Sequence, residues 1–249
     1  MQILKELHAV FRTKVDKDEN LSLRGIKSGA RVLDVGCGEG SLYQRMKSHP
    51  DNMDIDHYAI DLQKSPNLPS QIDFSHLNLE QGKLPFDDNF FDLIYCSHVI
   101  EHLTSPIALF RECVRCLKKG GSLIIRAPSE KSILGGNLNL DVKRYFIGNF
   151  YDDPTHIGRP WSPQSLYRLG SYCGLNVQHC DYNTHWLSSL TFPLSYLYGV
   201  ITRNTDIIVS HYWLFKRWES YARYEKKQEQ CHFTYYSYKG IRAFEHVNI

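Results

Sequence analysis

The sequence predicts a doubly wound α/β protein with a mostly parallel seven-stranded sheet and helices on both faces. Apolar runs of strand length recur along the chain, with helical segments between them. A glycine-rich turn directly follows the first run, where open α/β sheets bind their ligands. The length of 249 residues favours a single domain, 1–249, over two full ones.

The predicted strands are short apolar runs bounded by turn residues. They lie at 31–36, 57–61, 74–79, 91–96, 121–127, 176–182 and 232–244. Runs of this kind that alternate with helices are typical of parallel sheets buried on both faces.

The predicted helices are marked by caps and by apolar spacing. Residues 105–121 begin with a Ser-Pro pair, which suits an N-cap and a first turn, and end in two glycines. Residues 162–175 also begin with Ser-Pro. The amphipathic residues 1–27 are expected to form a leading helical segment.

Composition excludes several classes of protein. A formal charge of +2 is too small to indicate nucleic acid as the main partner. The seven cysteines are too few for a disulfide framework, and the first residues do not resemble an export signal. These two features predict a cytoplasmic protein.

Cys113 and Cys116 form a C-x-x-C inside a predicted helix with no second pair, so no metal is expected. Cys37 in the glycine turn is expected to be a small packing residue.

The glycine turn favours a cationic ligand. Gly36, Gly38 and Gly40 offer backbone without Cβ atoms, so that a ligand can approach closely. Their spacing matches neither the dinucleotide fingerprint nor the phosphate-binding P-loop. Asp34 and Glu39 would place two carboxylates beside a pyrophosphate, whereas they suit a positively charged group.

The stretch "VLDVGCGEG" resembles the first motif of the class I S-adenosylmethionine-dependent methyltransferases, of the type 11-like domain. The segments 59–63, 78–103 and 115–125 resemble the later motifs of that family in the same order, so the resemblance covers about residues 25–180. It implies a Rossmann-like methyltransferase fold, S-adenosylmethionine as cofactor and S-adenosylhomocysteine as product. The usual aspartate of the third strand is Asn78 here, which keeps hydrogen-bonding capacity and loses the charge.

The resemblance places the cofactor at the ends of four predicted strands. Asp34 would serve its methionine end, Asp61 its ribose and Asn78 its adenine, while Cys96 and Ser97 would border the sulfonium. The whole set of implied cofactor contacts is Asp34, Gly36, Cys37, Gly38, Gly40, Asp61, Leu62, Asn78, Leu79, Cys96 and Ser97.

Two histidines are candidate catalytic bases. Methyl transfer from a sulfonium has a neutral leaving group, so the enzyme mainly aligns the reactants, and a base helps when the acceptor is a hydroxyl. His98 follows the fourth predicted strand, and His156 lies in a loop that resembles an acceptor loop of the family. His102 is expected to cap or pack a helix. Arg159 and Trp161 either clamp and stack on the acceptor or anchor this loop.

An insert is predicted between the last two strands, at 184–230. Residues 206–227 mix aromatic and basic side chains and indicate an interfacial helix. Three interpretations remain open for the insert: a lid over the acceptor, peripheral membrane contact through 184–227, and a homodimer interface.

The predicted function is methyl transfer to a small or carrier-linked acceptor, glycan-like or lipid-like, with oxygen as the favoured atom. An RNA or protein methyltransferase is one alternative, although the charge gives no strong nucleic-acid signal. A cofactor-binding or membrane-associated module without turnover is the other.

Overall fold

A computed structural model gives the fold of the chain. It describes residues 26–47, 54–134, 139–141, 144–145, 150–183, 193–194, 197, 201 and 219–227. The predicted segment 1–27 therefore lies almost wholly outside the described residues, and the predicted strand 232–244 lies entirely outside them.

One seven-stranded sheet forms the centre of the molecule, in the order β3-β2-β1-β4-β5-β9-β8. Its first five strands are parallel to one another, and β9 runs antiparallel to both β5 and β8. This order confirms the predicted Rossmann-like fold. The strands are β1 (Ala30–Val35), β2 (Ile55–Asp61), β3 (Asp73–His76), β4 (Phe91–Ser97), β5 (Leu117–Pro128), a separate pair β6 (Asn139–Asp141) and β7 (Arg144–Tyr145), β8 (Leu175–Tyr182) and β9 (Glu219–Lys226).

Among the residues that the structure describes, three α-helices pack against this sheet: α1 (Ser41–Lys47), α2 (Pro106–Cys116) and α3 (Pro163–Tyr172). Ser162 caps α3, because its hydroxyl accepts a hydrogen bond from the Ser165 amide at 3.1 Å. Within the described residues no helix is long and apolar enough to cross a bilayer. The inner face of α2 includes Cys113 and Cys116, which are both fully buried, as the sequence predicted for packing residues.

The core lies on both faces of the central strands. Leu33, Ile94 and Ile125 belong to one apolar cluster, and Val32 and Ile124 belong to another. All five side chains are fully buried. Burial on both faces explains why these strands read as continuous apolar runs and not as alternating ones.

The strand β9 lies where the sequence predicts a helix. The pattern of residues 206–227 predicts an interfacial helix, yet Glu219–Lys226 form a strand between β5 and β8. Ser220, Ala222 and Tyr224 are fully buried and alternate with less buried neighbours, which is the period of a strand. The segment between β8 and β9 therefore spans 183–218, most of which lies outside the described residues. Lid, membrane contact and dimer interface stay predictions.

Gly170 on α3 allows a close contact with β9. A Cβ atom at this position would lie 2.1 Å from Cε1 of Tyr224, whose hydroxyl donates to the Leu166 carbonyl at 2.8 Å. We expect Gly170→Ala to lower the free energy of unfolding by about 1–3 kcal/mol, because the buried ring must shift. Urea denaturation measures it, with Ser171→Ala on the same helix as control. Equal midpoints for the glycine variant and the wild type would contradict this packing.

Candidate active site

The predicted site residues meet at one edge of the sheet. Val35 pairs with Ile60 on one side and with Cys96 on the other, so that β1, β2 and β4 end at the same level. Because β9 runs in the opposite direction, it begins at this edge, where Glu219 pairs with Pro128 at the end of β5. This edge is where open α/β sheets bind ligands.

The three glycines of the turn have different physical roles. A Cβ on Gly36 would lie 2.3 Å from Cγ2 of Val99, and one on Gly40 would lie 3.1 Å from Leu68. Those two positions are bare because the protein itself packs there. A Cβ on Gly38 would have no heavy atom within 4 Å, and its φ is 51°. Gly38 is therefore the glycine whose backbone faces open space.

Asp61 joins the end of β2 to the glycine turn. Its Oδ2 accepts a hydrogen bond from the Gly38 amide at 2.9 Å, and its Oδ1 accepts one from the Leu62 amide at 2.6 Å. These bonds hold the carboxylate at the rim beside the open backbone of Gly38. Each oxygen keeps a second lone pair that can accept a ligand hydroxyl. Leu62 itself is 54% exposed.

Asp34 is an acid placed for a cationic ligand. Burial raises its pKa to about 7, an effect that the charge of Arg45 partly offsets and that of Asp61 reinforces. A cation that binds beside Asp34 would favour the ionised carboxylate.

Cys37 is buried against Ala59, and burial raises the pKa of its thiol to about 12. A protonated thiol fits the predicted packing role better than that of a nucleophile.

The remaining implied cofactor contacts divide into accessible and inaccessible side chains. Asn78 caps a short 3-10 helix, Leu79–Gln81, and its Oδ1 accepts a hydrogen bond from the Glu80 amide at 3.0 Å. Its amide group remains at this edge beside Leu79. The side chain of Cys96 is fully buried in the main core, so this residue can border a ligand only with its backbone. Ser97, the last residue of β4, is partly exposed.

The environment of His98 corrects its assignment as a general base. Its Nε2 lies 2.8 Å from Oε1 of Glu219, and its Nδ1 lies 3.3 Å from Oε1 of Glu101. Burial alone would lower its pKa, but the two carboxylates outweigh that effect and raise it to about 10. An imidazolium with this pKa has no free lone pair near neutral pH. His98 also has a φ of 56°, a conformation that its neighbours must hold in place.

Glu219 is a site-edge residue that sequence reasoning missed. Arg126 donates to both of its oxygens, from Nε at 3.0 Å and from Nη2 at 2.6 Å, and Asn183 donates at 2.5 Å. Burial favours the protonated acid, yet Arg126 and His98 hold the pKa of Glu219 well below its usual range. No local motif could reveal this network, because its members are distant in sequence.

His156 lies in a short structured loop against the 3-10 helix Ile100–His102. Its Nδ1 donates to the Phe150 carbonyl at 2.6 Å, and its ring stacks on the Phe150 ring with centroids 4.3 Å apart. The ring of His102 lies 4.7 Å away. His102 donates from Nδ1 to the Thr155 carbonyl at 3.1 Å, so it links this loop to the end of β4.

Arg159 and Trp161 match the loop-anchoring interpretation. Trp161 is only 7% exposed, belongs to the main core, and donates its backbone amide to the Pro128 carbonyl at 2.8 Å. The Arg159 guanidinium lies 5.2 Å from the centre of its ring. A core indole does not offer a stacking surface, so the predicted acceptor role of Trp161 is not supported.

Glu101, His102 and His156 form a compact cluster with the chemistry of metal ligands. One possible ligand atom from each lies within 4.8 Å of the others. Glu101 is fully buried and its two neighbours are partly buried. No local sequence pattern indicates a metal at these residues, because His156 joins the other two only through the fold.

Sheet order and site together define a Rossmann-like α/β protein whose glycine turn and two acids can hold a small cationic cofactor. Residues 33–125 match the family described as "Methyltransferase domain". This segment, from the middle of β1 to most of β5, is therefore similar to a methyltransferase domain.

The proteins named below are also similar to this chain. A ubiquinone biosynthesis O-methyltransferase of Xanthomonas oryzae is 32% identical over 126 residues, which is 49% of this chain and 51% of that protein. The chain thus spans about half the length of the relatives it matches. A methyltransferase of Archaeoglobus fulgidus described as SAM-dependent has a TM-score of 0.58 at 20% identity, covering 86% of this chain and 94% of its own.

A further similar structure is a complex of the Haloferax volcanii Trm112 methyltransferase activator with a putative methyltransferase. Its TM-score is 0.62 at 17% identity, and the match covers 87% of this chain and 91% of the other. At such identities these two structures show the shared fold alone.

Proposed function

We propose that this chain transfers a methyl group from S-adenosylmethionine to an oxygen atom of a small or carrier-linked acceptor. The observation that carries the proposal is the rim of the glycine turn, where Asp61 is held beside the open backbone of Gly38 within a methyltransferase domain. The relative in Xanthomonas oryzae, whose name includes O-methyltransferase, supports oxygen as the acceptor atom.

The cofactor supplies a methyl group bonded to a positively charged sulfur. After transfer of this methyl group, the sulfur is a neutral thioether. Asp61 would accept the two ribose hydroxyls, because two backbone amides already hold its carboxylate in place. Asp34 would face the charged methionine end, while the Asn78 amide would lie beside the adenine. These side chains bind and orient the cofactor, and none of them has to change its covalent state.

The acceptor is expected on the side of the loop that follows β4. His98 is occupied by Glu101 and Glu219, so His156 is the remaining base candidate from the sequence. Its Nδ1 proton is donated to the Phe150 carbonyl, which leaves Nε2 with a lone pair. That nitrogen can accept a proton from an acceptor hydroxyl, or it can bind an ion.

A direct test uses the purified full chain, S-adenosylmethionine and a panel of phenols, alcohols, carboxylic acids, amines and RNA. We expect S-adenosylhomocysteine to form with a hydroxyl-bearing acceptor. Mass spectrometry of the product identifies the methylated atom. Transfer to nitrogen or to RNA would contradict the proposal at the acceptor atom. Binding of the cofactor without turnover of any acceptor would favour the alternative of a module without catalysis.

Asp34 should make cofactor binding depend on pH. With its pKa raised to about 7, the acid is mostly protonated at about pH 6 and mostly ionised at about pH 8. We expect affinity for S-adenosylmethionine to rise about tenfold over this interval, because only the carboxylate attracts the cation. Between about pH 3.8 and about pH 7 only the folded chain holds this proton, so its contribution to stability falls as the pH rises and is lost once Asp34 ionises in the folded chain.

Calorimetric titrations at several pH values measure this dependence. Asp34→Asn keeps the size of the side chain and cannot titrate, so its affinity should change less over the same interval. A pH dependence as steep in the variant as in the wild type would assign it to another group.

A further inference from the structure

We propose that Glu101, His102 and His156 bind a divalent transition-metal ion, of the type of Zn²⁺, at the acceptor side of the site. Their possible ligand atoms lie within 4.8 Å of one another. Two imidazoles and one carboxylate are a recurrent ligand set for Zn²⁺ and Fe²⁺, whereas Mg²⁺ and Ca²⁺ prefer oxygen ligands.

The two histidines are oriented as metal-binding histidines usually are. His102 donates from Nδ1 to the Thr155 carbonyl at 3.1 Å, and His156 donates from Nδ1 to the Phe150 carbonyl at 2.6 Å. In each ring this fixes the proton on Nδ1 and leaves the lone pair on Nε2. A ligating histidine typically donates its other nitrogen to a carbonyl or a carboxylate, which fixes the ring and its tautomer.

The loop that carries these carbonyls is itself held in place. Asp153 accepts hydrogen bonds from the amide and the hydroxyl of Thr155 at 2.8 and 2.6 Å. Oδ2 of Asp153 lies 3.7 Å from Nε2 of His156. The Gly158 amide donates to the Glu101 carbonyl at 3.2 Å, which ties the loop to the 3-10 helix.

Glu101 supplies an independent observation that points to a ligand. Its side chain is fully buried, and within the described residues neither carboxylate oxygen has a hydrogen-bond partner. His98 Nδ1 lies 3.3 Å from Oε1, whereas Oε2 has no hydrogen-bond donor in the part of the chain that the structure describes. Burying a carboxylate oxygen without a donor is costly, and a bound cation would remove that cost.

The dimensions of the cluster suit one ion after small side-chain movements. Zinc bonds to nitrogen and oxygen are about 2.0–2.2 Å long and tetrahedrally arranged, so the ligand atoms of one ion are about 3.4 Å apart. The possible ligand atoms here lie within 4.8 Å of one another, so the side chains would have to move together by at most about 1.4 Å. Three protein ligands leave positions open for an exogenous one.

The location links such an ion to the reaction. Val99, two residues before Glu101, packs against Gly36 of the glycine turn, so the cluster is close in the chain to the loop that contacts the cofactor site. This consequence rests on the proposed function: a hydroxyl of the acceptor would occupy an open position, and the ion would lower its pKa. His156 would then act as a ligand and not as a general base.

Metal binding is tested on the full chain after chelator treatment and dialysis, by calorimetric titration with Zn²⁺ alone. We expect one ion per chain and a melting temperature that rises by about 5 °C or more at saturation. His102→Ala and His156→Ala should each weaken binding by at least about tenfold, as should Glu101→Gln. His76→Ala, which removes an exposed histidine at the end of β3, is the matched control and should bind like the wild type.

Co²⁺ is a second probe, since its visible spectrum distinguishes nitrogen and oxygen ligands from thiolates. If the wild-type chain bound no stoichiometric ion, the proposal would be overturned, and this result does not depend on whether the variants fold. A Co²⁺ spectrum typical of thiolate ligands would also overturn it. Methyl transfer that persists in metal-free protein would remove the catalytic consequence and leave the proposed function intact. Tight Zn²⁺ binding without any methyl transfer would support the metal site and contradict the proposed function.

Discussion

Asp61→Ala is expected to lower the affinity for S-adenosylmethionine by about 10- to 100-fold. The carboxylate would bind the ribose, and it already accepts the Gly38 and Leu62 amides. Hydrogen bonds to a charged group contribute about 1.5–3 kcal/mol, and each 1.4 kcal/mol is a factor of ten in affinity. The loss combines missing ligand contacts with a less ordered glycine turn. Calorimetric titration with the cofactor or with S-adenosylhomocysteine measures it.

Two further variants separate the causes of this loss. Asp61→Asn keeps one acceptor oxygen and removes the charge, so we expect an intermediate affinity. Asp73→Ala removes an exposed carboxylate from the neighbouring strand β3 and should leave affinity unchanged. If Asp61→Ala bound the cofactor as the wild type does, the ribose would have to bind elsewhere, and the proposed function would lose its main support.

Glu219→Gln should be the most destabilising of the substitutions considered. The wild-type carboxylate receives two hydrogen bonds from Arg126 and lies 2.8 Å from Nε2 of His98. Removing the charge takes the buried carboxylate away from Arg126 and leaves His98 with Glu101 as its carboxylate partner. Breaking a buried ion pair in this way typically costs about 3–5 kcal/mol. Urea denaturation measures the change in the free energy of unfolding.

Glu225→Gln is the matched control, because it makes the same substitution on the same strand at a less buried position. We expect its midpoint to stay close to that of the wild type. Because the native charges keep the pKa of Glu219 well below its usual range, its contribution should be present above the ordinary glutamate pKa and disappear in strong acid. A Glu219→Gln variant as stable as the control would show that the network is not stabilising.

Local sequence patterns were sufficient for the first part of the fold. The strand runs that became β1, β2 and β4 were identified because central parallel strands are apolar on both faces. Gly38 and Asp61 were identified because a turn and the tip of a strand are each specified by a few adjacent residues. The third strand was also found, although its observed bounds are shorter than predicted.

The errors have a common physical origin. Glu219–Lys226 was read as part of a helix because its aromatic and basic residues also fit a helical period, and only pairing with β5 and β8 selects the strand. Of the two interpretations of Trp161, acceptor contact and loop anchor, its packing into the core favours the second. The choice between these outcomes depends on neighbours that are distant in the chain.

The sequence by itself determined the class of fold, the positions of the parallel strands along the chain and the glycine turn with Asp34 and Asp61. These features follow from short-range patterns of apolarity, bare backbone and charge. Only the tertiary structure decided that His98 is an imidazolium between Glu101 and Glu219, and that His156 lies beside Glu101 and His102. A pKa and a ligand cluster depend on distances between side chains, and those distances are set by folding.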